Sequence, residues 1–279
     1  MKKLLQDRTH LAQLKDTQKR EKELLQKVAQ LEEENRKLTA EKQSSQKLKN
    51  EFQQASQRLT AVNLIGKALS LLKEEKYTDS KKAMEYLNNA IKLQPDYAFA
   101  YNVRGLSYKI LGQYQSAIED YNEAIRLQPD YTDAYCNRGI AYAHLGQYQL
   151  TIEDCNEAIR LQPYDVDAYF NRGTAYGNLG QHQRAIEDFN ENIRLKPDDA
   201  MAYYNRGLTY AHLSQYQRAI EDYNEAIRLK QDHADPFNNR GIAYLLQGNK
   251  KLGCPDAQKA CELGNCKALE WAKGNGYCR

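Results

Sequence analysis

Four of the six cysteines of this 279-residue chain lie in its last 26 residues: Cys254, Cys261, Cys266 and Cys278. Thiols gathered like this either hold a soft metal or join as disulfides. The spacing, C-x6-C-x4-C-x11-C, contains no C-x2-C knuckle of the kind that wraps zinc. If "CPDAQKACELG" and "CKALEWAKG" form a helical hairpin turning at Gly264 and Asn265, the cysteines nest. Cys261 then meets Cys266, and Cys254 meets Cys278. Such bridges would fasten the final helix, with Leu269 and Trp271 covering the open end of the structure before it. Disulfides imply an oxidising, extracytoplasmic compartment such as a periplasm. The opening "MKKLLQDRTH" is basic but lacks the apolar run of a secretory signal, so that reading requires a leader or anchor removed from this sequence. The alternative is four reduced thiols in a cytoplasm.

A second recurrent group is amide rather than thiol. Asn137, Asn171, Asn205 and Asn239 stand 34 residues apart. Each side-chain amide offers two donors and an acceptor, which suits a peptide backbone regardless of its side chains. The alternative use is capping or cross-linking helices within the fold. The residue before each asparagine varies: Cys136, Phe170, Tyr204 and Asn238, with Asn102 in the preceding unit. Phe170 and Tyr204, with Met201 and Leu208 on the same helical face, are expected as partly exposed anchors for a ligand. Cys136 is expected as a free thiol on that face. The histidines, His10, His144, His182, His212 and His233, are scattered; His144 and His212 hold equivalent sites two units apart, too far for one metal ion. No phosphate loop, Ser/His/Asp set or Cys/His pair assembles, so no enzyme activity, cofactor or metal is expected.

The interval of 34 belongs to the whole middle of the chain. Gly105, Gly139, Gly173, Gly207 and Gly241 keep it, as do Arg104, Arg138, Arg172, Arg206 and Arg240, and Pro95, Pro129, Pro163 and Pro197. Each unit splits into two helical patterns. The first, as in 98–111, stops at a Gly-Gln pair; the second, as in 115–128, stops before proline, which biases its neighbour away from helix. Gly105 lacks a side chain where the first helix lies against the second, and Ala117 and Ala124 allow the same approach from the other side. Tyr101, Tyr108, Ile118, Tyr121, Ile125 and Leu127 fill the space between. Cys155 takes the place of the second helix's aromatic and reads as a small core residue. The Asp/Glu runs, as in "IEDYNEAI", read as outward faces, and the Arg104 series is expected to pair with Asp120- or Glu119-type carboxylates inside the stack. A helix pair of this composition has one apolar face too many to stand alone, so units pile on one another.

This pattern resembles the tetratricopeptide repeat (TPR), in a subtype similar to bacterial repeats carrying "NRG" in the first helix. The resemblance covers 61–263, about six units; the first is about three residues longer, with the surplus near "TDS", and the sixth reads "GCPDAQKACELG" in place of the Ala-Ile-Glu-Asp run. It implies an all-α, right-handed α-solenoid whose first helices line a concave groove for a peptide or protein. The asparagine file is similar to that of the O-GlcNAc transferase superhelix. The Lys/Asn clamp by which co-chaperone repeats hold a terminal carboxylate is not evident, with Lys109 the main basic candidate in the groove.

Residues 1–60 differ in composition. They contain no Pro or Gly and hold 14 Lys/Arg against 9 Asp/Glu, whereas the rest holds 26 against 28. Leu24, Leu31 and Leu38 repeat every seven residues, with Val28 and Asn35 at the intervening core position and Phe52 and Leu59 continuing the leucine series. That is a coiled-coil seam, weakened by Lys42, Ser45 and Lys49; Leu4 and Leu11 fall one residue out of register. An asparagine at such a core position favours a parallel pair, and a trimer stays open. The other reading is a charged single helix.

The sequence therefore predicts three regions: an oligomerisation helix over 1–60, six repeats over 61–263, and a capping helix with a Cys-containing tail over 264–279. The expected role is a non-catalytic scaffold or adaptor, a homodimer or homotrimer that takes a protein or peptide ligand. The alternatives are a self-assembling structural protein and a targeting subunit for an enzyme on another chain. The net charge of +3 argues against nucleic acid, and no apolar run is long enough to span a membrane.

Overall fold

The computed structural model describes residues 2–73 and 76–278, with side chains for 19–20, 22–71 and 78–278. Leu4 and Leu11, with their shifted register, lie outside the described side chains. The chain divides into two compact units, Met1–Val62 and Asn63–Arg279.

Helix α1 runs Lys2–Ser70. Its heptad residues are exposed: Leu24 63%, Val28 50%, Leu31 64%, Leu38 54% and Phe52 77%. A two-stranded antiparallel hairpin follows, β1 (Leu72–Lys73) and β2 (Lys76–Tyr77). This hairpin and the turn after it hold the surplus residues of the first unit. Asp79 then caps α2 (Ser80–Leu93), accepting from the Lys82 backbone N–H at 2.9 Å. Ile65 and Ala68 at the end of α1 and Ala83, Leu87 and Ala90 on α2 are buried.

Five helix pairs follow at the repeat interval: α3 (Ala98–Ile110) with α4 (Tyr114–Leu127), α5 (Thr132–His144) with α6 (Tyr148–Leu161), and α7 (Val166–Asn178) with α8 (His182–Leu195). Then come α9 (Ala200–His212) with α10 (Tyr216–Leu229), α11 (Ala234–Leu246) with α12 (Lys250–Glu262), and a last helix, α13 (Lys267–Gly274). Each first helix packs on its own second helix, and each second helix on the next pair. The first helix of a pair is called A below, and the second B.

At Gly105 the A–B contact leaves no room for a side chain. A Cβ on Gly105 would lie 2.6 Å from the Tyr121 ring, which is fully buried. The core crosses from unit to unit: Ala117, Ile118 and Tyr121 pack with Ala141 of the next A helix, flanked by Tyr108, Tyr114 and Tyr142. The tight turn between A and B needs a left-handed residue, and Gly112, Gly146, Gly180 and Gly248 supply it at φ of 72°, 72°, 71° and 80°. In the fifth unit Ser214 holds that place at φ 57°.

A ladder of ion pairs runs through the stack. Arg104 donates from Nε and Nη2 to Asp120 at 2.8 and 2.6 Å, and from Nη1 to Asn88 of the preceding pair at 2.8 Å. The arrangement repeats four times, with Arg138–Asp154–Asn122, Arg172–Asp188–Asn156, Arg206–Asp222–Asn190 and Arg240–Asp256–Asn224. Each guanidinium also lies over the aromatic ring three residues earlier, 5.6 Å from Tyr101 and 5.4 Å from Phe237 at the two ends. The arginines thus pair inside the stack, with the aspartates rather than Glu119-type residues. The outward reading of the acidic runs is corrected here: Asp120, Asp154, Asp188 and Asp222 are only 5% exposed. They tolerate burial because a bidentate guanidinium comes with them. Desolvation still pushes their carboxyls above the ordinary range, against the pull of the arginines. The sixth unit lost the surrounding motif yet kept Asp256 in phase for Arg240.

The last helix closes the stack with Ala268 and Leu269, which pack on Ala257, Ile242 and Cys261. Trp271 was expected to share that role and does not. It is 36% exposed and stacks on Tyr277 at 5.3 Å. The buried stripe is 268, 269 and 272, and at about 100° per residue position 271 falls well off it. Disulfides join Cys254 to Cys278 and Cys261 to Cys266.

Candidate functional site

Helices α3, α5, α7, α9 and α11 each present the side opposite the ladder as one wall. Residues spaced three or four apart share a helix face, so Asp167, Phe170, Asn171, Thr174 and Asn178 line α7, and Met201, Tyr204, Asn205, Leu208 and His212 line α9. The same positions on α5 are Asp133, Cys136, Asn137, Ile140 and His144.

The four asparagines differ in what holds them. Asn137 accepts from Lys109 Nζ at 3.1 Å and donates to Asn102 Oδ1 at 3.3 Å. Asn239 donates to the Tyr204 hydroxyl at 3.1 Å and accepts from Asn238 Nδ2 at 3.0 Å. Asn171 and Asn205, in the middle of the file, are half-buried and have no side-chain hydrogen bond among the described residues. The file is therefore tied at both ends and open in the centre.

The column before it changes in the same way. Asn102 is buried beneath the Tyr131 hydroxyl, to which it donates at 3.1 Å, and Asn238 is buried where its Oδ1 accepts from the Ala268 backbone N–H at 2.8 Å. Between them Phe170 and Tyr204 are half-buried. Phe170 meets Phe189 edge-on at 6.0 Å, and Tyr204 lies 6.1 Å from Tyr223 and 5.5 Å from His233. Each is thus part of its own A–B contact as well as of the wall. Met201 is 41% exposed.

Two clefts open on this wall. One of about 200 Å³ lies between α9, α10 and α11, lined by Leu208, Tyr216, Tyr223, Asn239, Ile242 and Leu246 among others. The second, of about 120 Å³, lies between α7, α8 and α9, lined by Thr174, Asn178, His182, Phe189, Asn205 and Leu208 among others. Leu208 and His212 are common to both.

His182 and His212 stack in the second cleft, rings 5.5 Å apart and within 4° of parallel, and Tyr114 stacks on His144 in the same way at 4.5 Å. Reading the histidines as scattered missed this pair. The signal was a spacing of 30, which brings the start of one B helix beside the end of the next A helix. Among the described residues no group of three or more His, Cys, Asp or Glu could hold a metal ion.

Cys136 is free and half-buried, and its Sγ lies 3.5 Å from Asp165 Oδ2. Burial, with Asp165 and other nearby acidic groups, pushes its thiol well above the usual range. Cys155 is free and fully buried, and burial raises its thiol to about 12. At both positions burial works against the thiolate that nucleophilic chemistry needs.

Family models of the repeat match three stretches, one described as TPR repeat over 105–146 and two as tetratricopeptide repeat over 132–165 and 170–239. The helix pairs in the matched stretches are tetratricopeptide repeats. No curated protein matches it. Among solved structures it is similar to YrrB, titled a TPR protein with an unusual peptide-binding site, at 21% identity and TM-score 0.57, covering 68% of this chain and 99% of that one. It is similar to MamA at 25% identity and TM-score 0.54, covering 61% and 96%. PilF of Pseudomonas aeruginosa aligns at 15% identity and TM-score 0.68, covering 78% and 99%. These likenesses bear on the fold, a TPR solenoid whose ordinary use is as a protein-interaction scaffold.

Proposed function

We propose that the chain is a non-catalytic adaptor that receives a polypeptide segment on the wall formed by its A helices and associates with copies of itself through α1. The observation that carries the first half is the state of Asn171 and Asn205. Half-buried amides without partners, Asn205 in the lining of the second cleft, offer hydrogen bonds to an incoming backbone, while Phe170, Tyr204, Met201 and Leu208 offer apolar contact. Lys109, Asn137 and Asn239 hold neighbouring parts of the wall in place. The second half rests on Leu24, Val28, Leu31, Asn35 and Leu38, whose seven-residue pattern is exposed throughout and is satisfied by another copy of the same seam. Several grooves on one oligomer would add avidity.

Peptide display against the intact chain tests the groove. Selected peptides should lose about tenfold or more in affinity on the Asn171→Ala, Asn205→Ala double variant, with its melting midpoint nearly unchanged. Selected peptides that bind the variant as tightly as the parent would place the ligand elsewhere.

A further inference from the structure

From α5 to α11 the wall has a sign. Helices α5, α7, α9 and α11, with their N-cap residues, contain four arginines and no lysine. All four arginines, Arg138, Arg172, Arg206 and Arg240, turn into the ladder and are neutralised by B-helix aspartates. The five carboxylates on the same elements, Asp133, Asp165, Asp167, Asp199 and Asp235, are not part of that ladder. Asp165 and Asp199 cap their helices, and Asp199 also lies 3.7 Å from the exposed Lys196 Nζ. Asp235 accepts from Asn265 at 2.7 Å and lies 3.5 Å from His233. Asp133 and Asp167 are exposed and have no partner among the described residues.

The position of this row matters as much as its charge. The carboxylates stand at the first turns of the A helices, whereas the clefts around Leu208 and Ile242 open in their second halves. Seven residues of helix separate the two, about 10 Å, close to the diameter of a helix with its side chains. A segment laid across the A helices would put one edge against the aspartates and the other into the clefts.

Resting on the adaptor reading above, we propose that the occupant of this groove is a basic amphipathic helix of a partner protein, with lysines or arginines facing the row from Asp133 to Asp235 and apolar side chains entering the clefts beside Leu208. Charge complementarity chooses this partner over an acidic one. The unpartnered Asp133 and Asp167 gain a counter-charge from it, whereas an acidic segment would find every A-helix arginine from α5 to α11 consumed internally and Lys109 of α3 already donating to Asn137.

The test uses two synthetic peptides of about 18 residues, five helical turns, with identical apolar faces. One carries lysine on the polar face and the other glutamate. Fluorescence anisotropy with the full chain should show the lysine peptide binding at least about tenfold tighter, and its affinity should fall as salt rises. Asp133→Asn with Asp167→Asn should weaken it several-fold, whereas Glu153→Gln with Glu187→Gln, on the B helices, should not. Equal or tighter binding of the glutamate peptide, no binding of the lysine peptide, or indifference to the aspartate changes overturns the proposal. If the glutamate peptide binds and Asn171→Ala with Asn205→Ala weakens it, the groove reading survives while the choice of a basic ligand fails. If the lysine peptide instead releases monomers from an oligomer, the occupant is the basic leading segment of a second copy, and the external partner is overturned.

Discussion

Leu31 and Leu87 are the same residue in two settings. Leu31, on α1, is 64% exposed, while Leu87, on the B helix of the first repeat, is fully buried. In the solenoid every unit hands its surplus apolar face to the next, and α13 closes the series with Ala268 and Leu269. Among the described residues of the first sixty, the apolar side chains of the seven-residue series are exposed. The lesson is one of valence. The repeats satisfy one another within the chain, whereas the leading helix, under the proposed function, is satisfied by association with another copy.

The largest effect that would sharpen this contrast lies in the ladder. Asp188→Ala leaves Arg172 charged, only 19% exposed and without its bidentate partner. Breaking a buried pair in this way costs about 3–5 kcal/mol, and denaturant unfolding should show it. The surface pair Arg160–Glu157, whose arginine is 65% exposed, provides the comparison, and Glu157→Ala should cost less than about 1 kcal/mol. Equal losses at the two sites would mean that the ladder does not hold the stack.

A smaller effect is expected at Ser214. A non-glycine residue at φ 57° carries backbone strain that its glycine counterparts avoid. Ser214→Gly should raise stability by about 1 kcal/mol, read from the same unfolding curves. A loss would show that the Ser214 side chain contributes more than its strained backbone costs.

Much of the solenoid is legible in the sequence because each repeat states its constraint several times. Gly105 meets Tyr121, Gly207 meets Tyr223, and the spacing of 16 from Arg104 to Asp120 recurs unchanged. What escaped the reading were contacts that join different units or break the amphipathic rule. Asp120 and its equivalents read both as outward-facing acids and, beside Glu119-type residues, as partners for the arginines, and it is their burial that selects the second reading. The His182–His212 stack joins a B helix to the following A helix, and hydropathy carries no mark of it. Trp271 misled because size suggests burial, whereas the small Ala268 and Ala272 are the residues that fit the closing contact. The candidate groove was legible as two columns of residues. Which asparagines remain open was not, because that depends on partners such as Lys109 and Tyr204 in neighbouring units.

Sedimentation equilibrium of the intact 32.2 kDa chain, beside a Leu24→Lys, Leu31→Lys variant, tests the contrast most directly. The account predicts two or three chains per particle for the parent, one for the variant, and the same thermal melting of the repeats in both. A monomeric parent, or a variant that keeps the parent's mass, would contradict it.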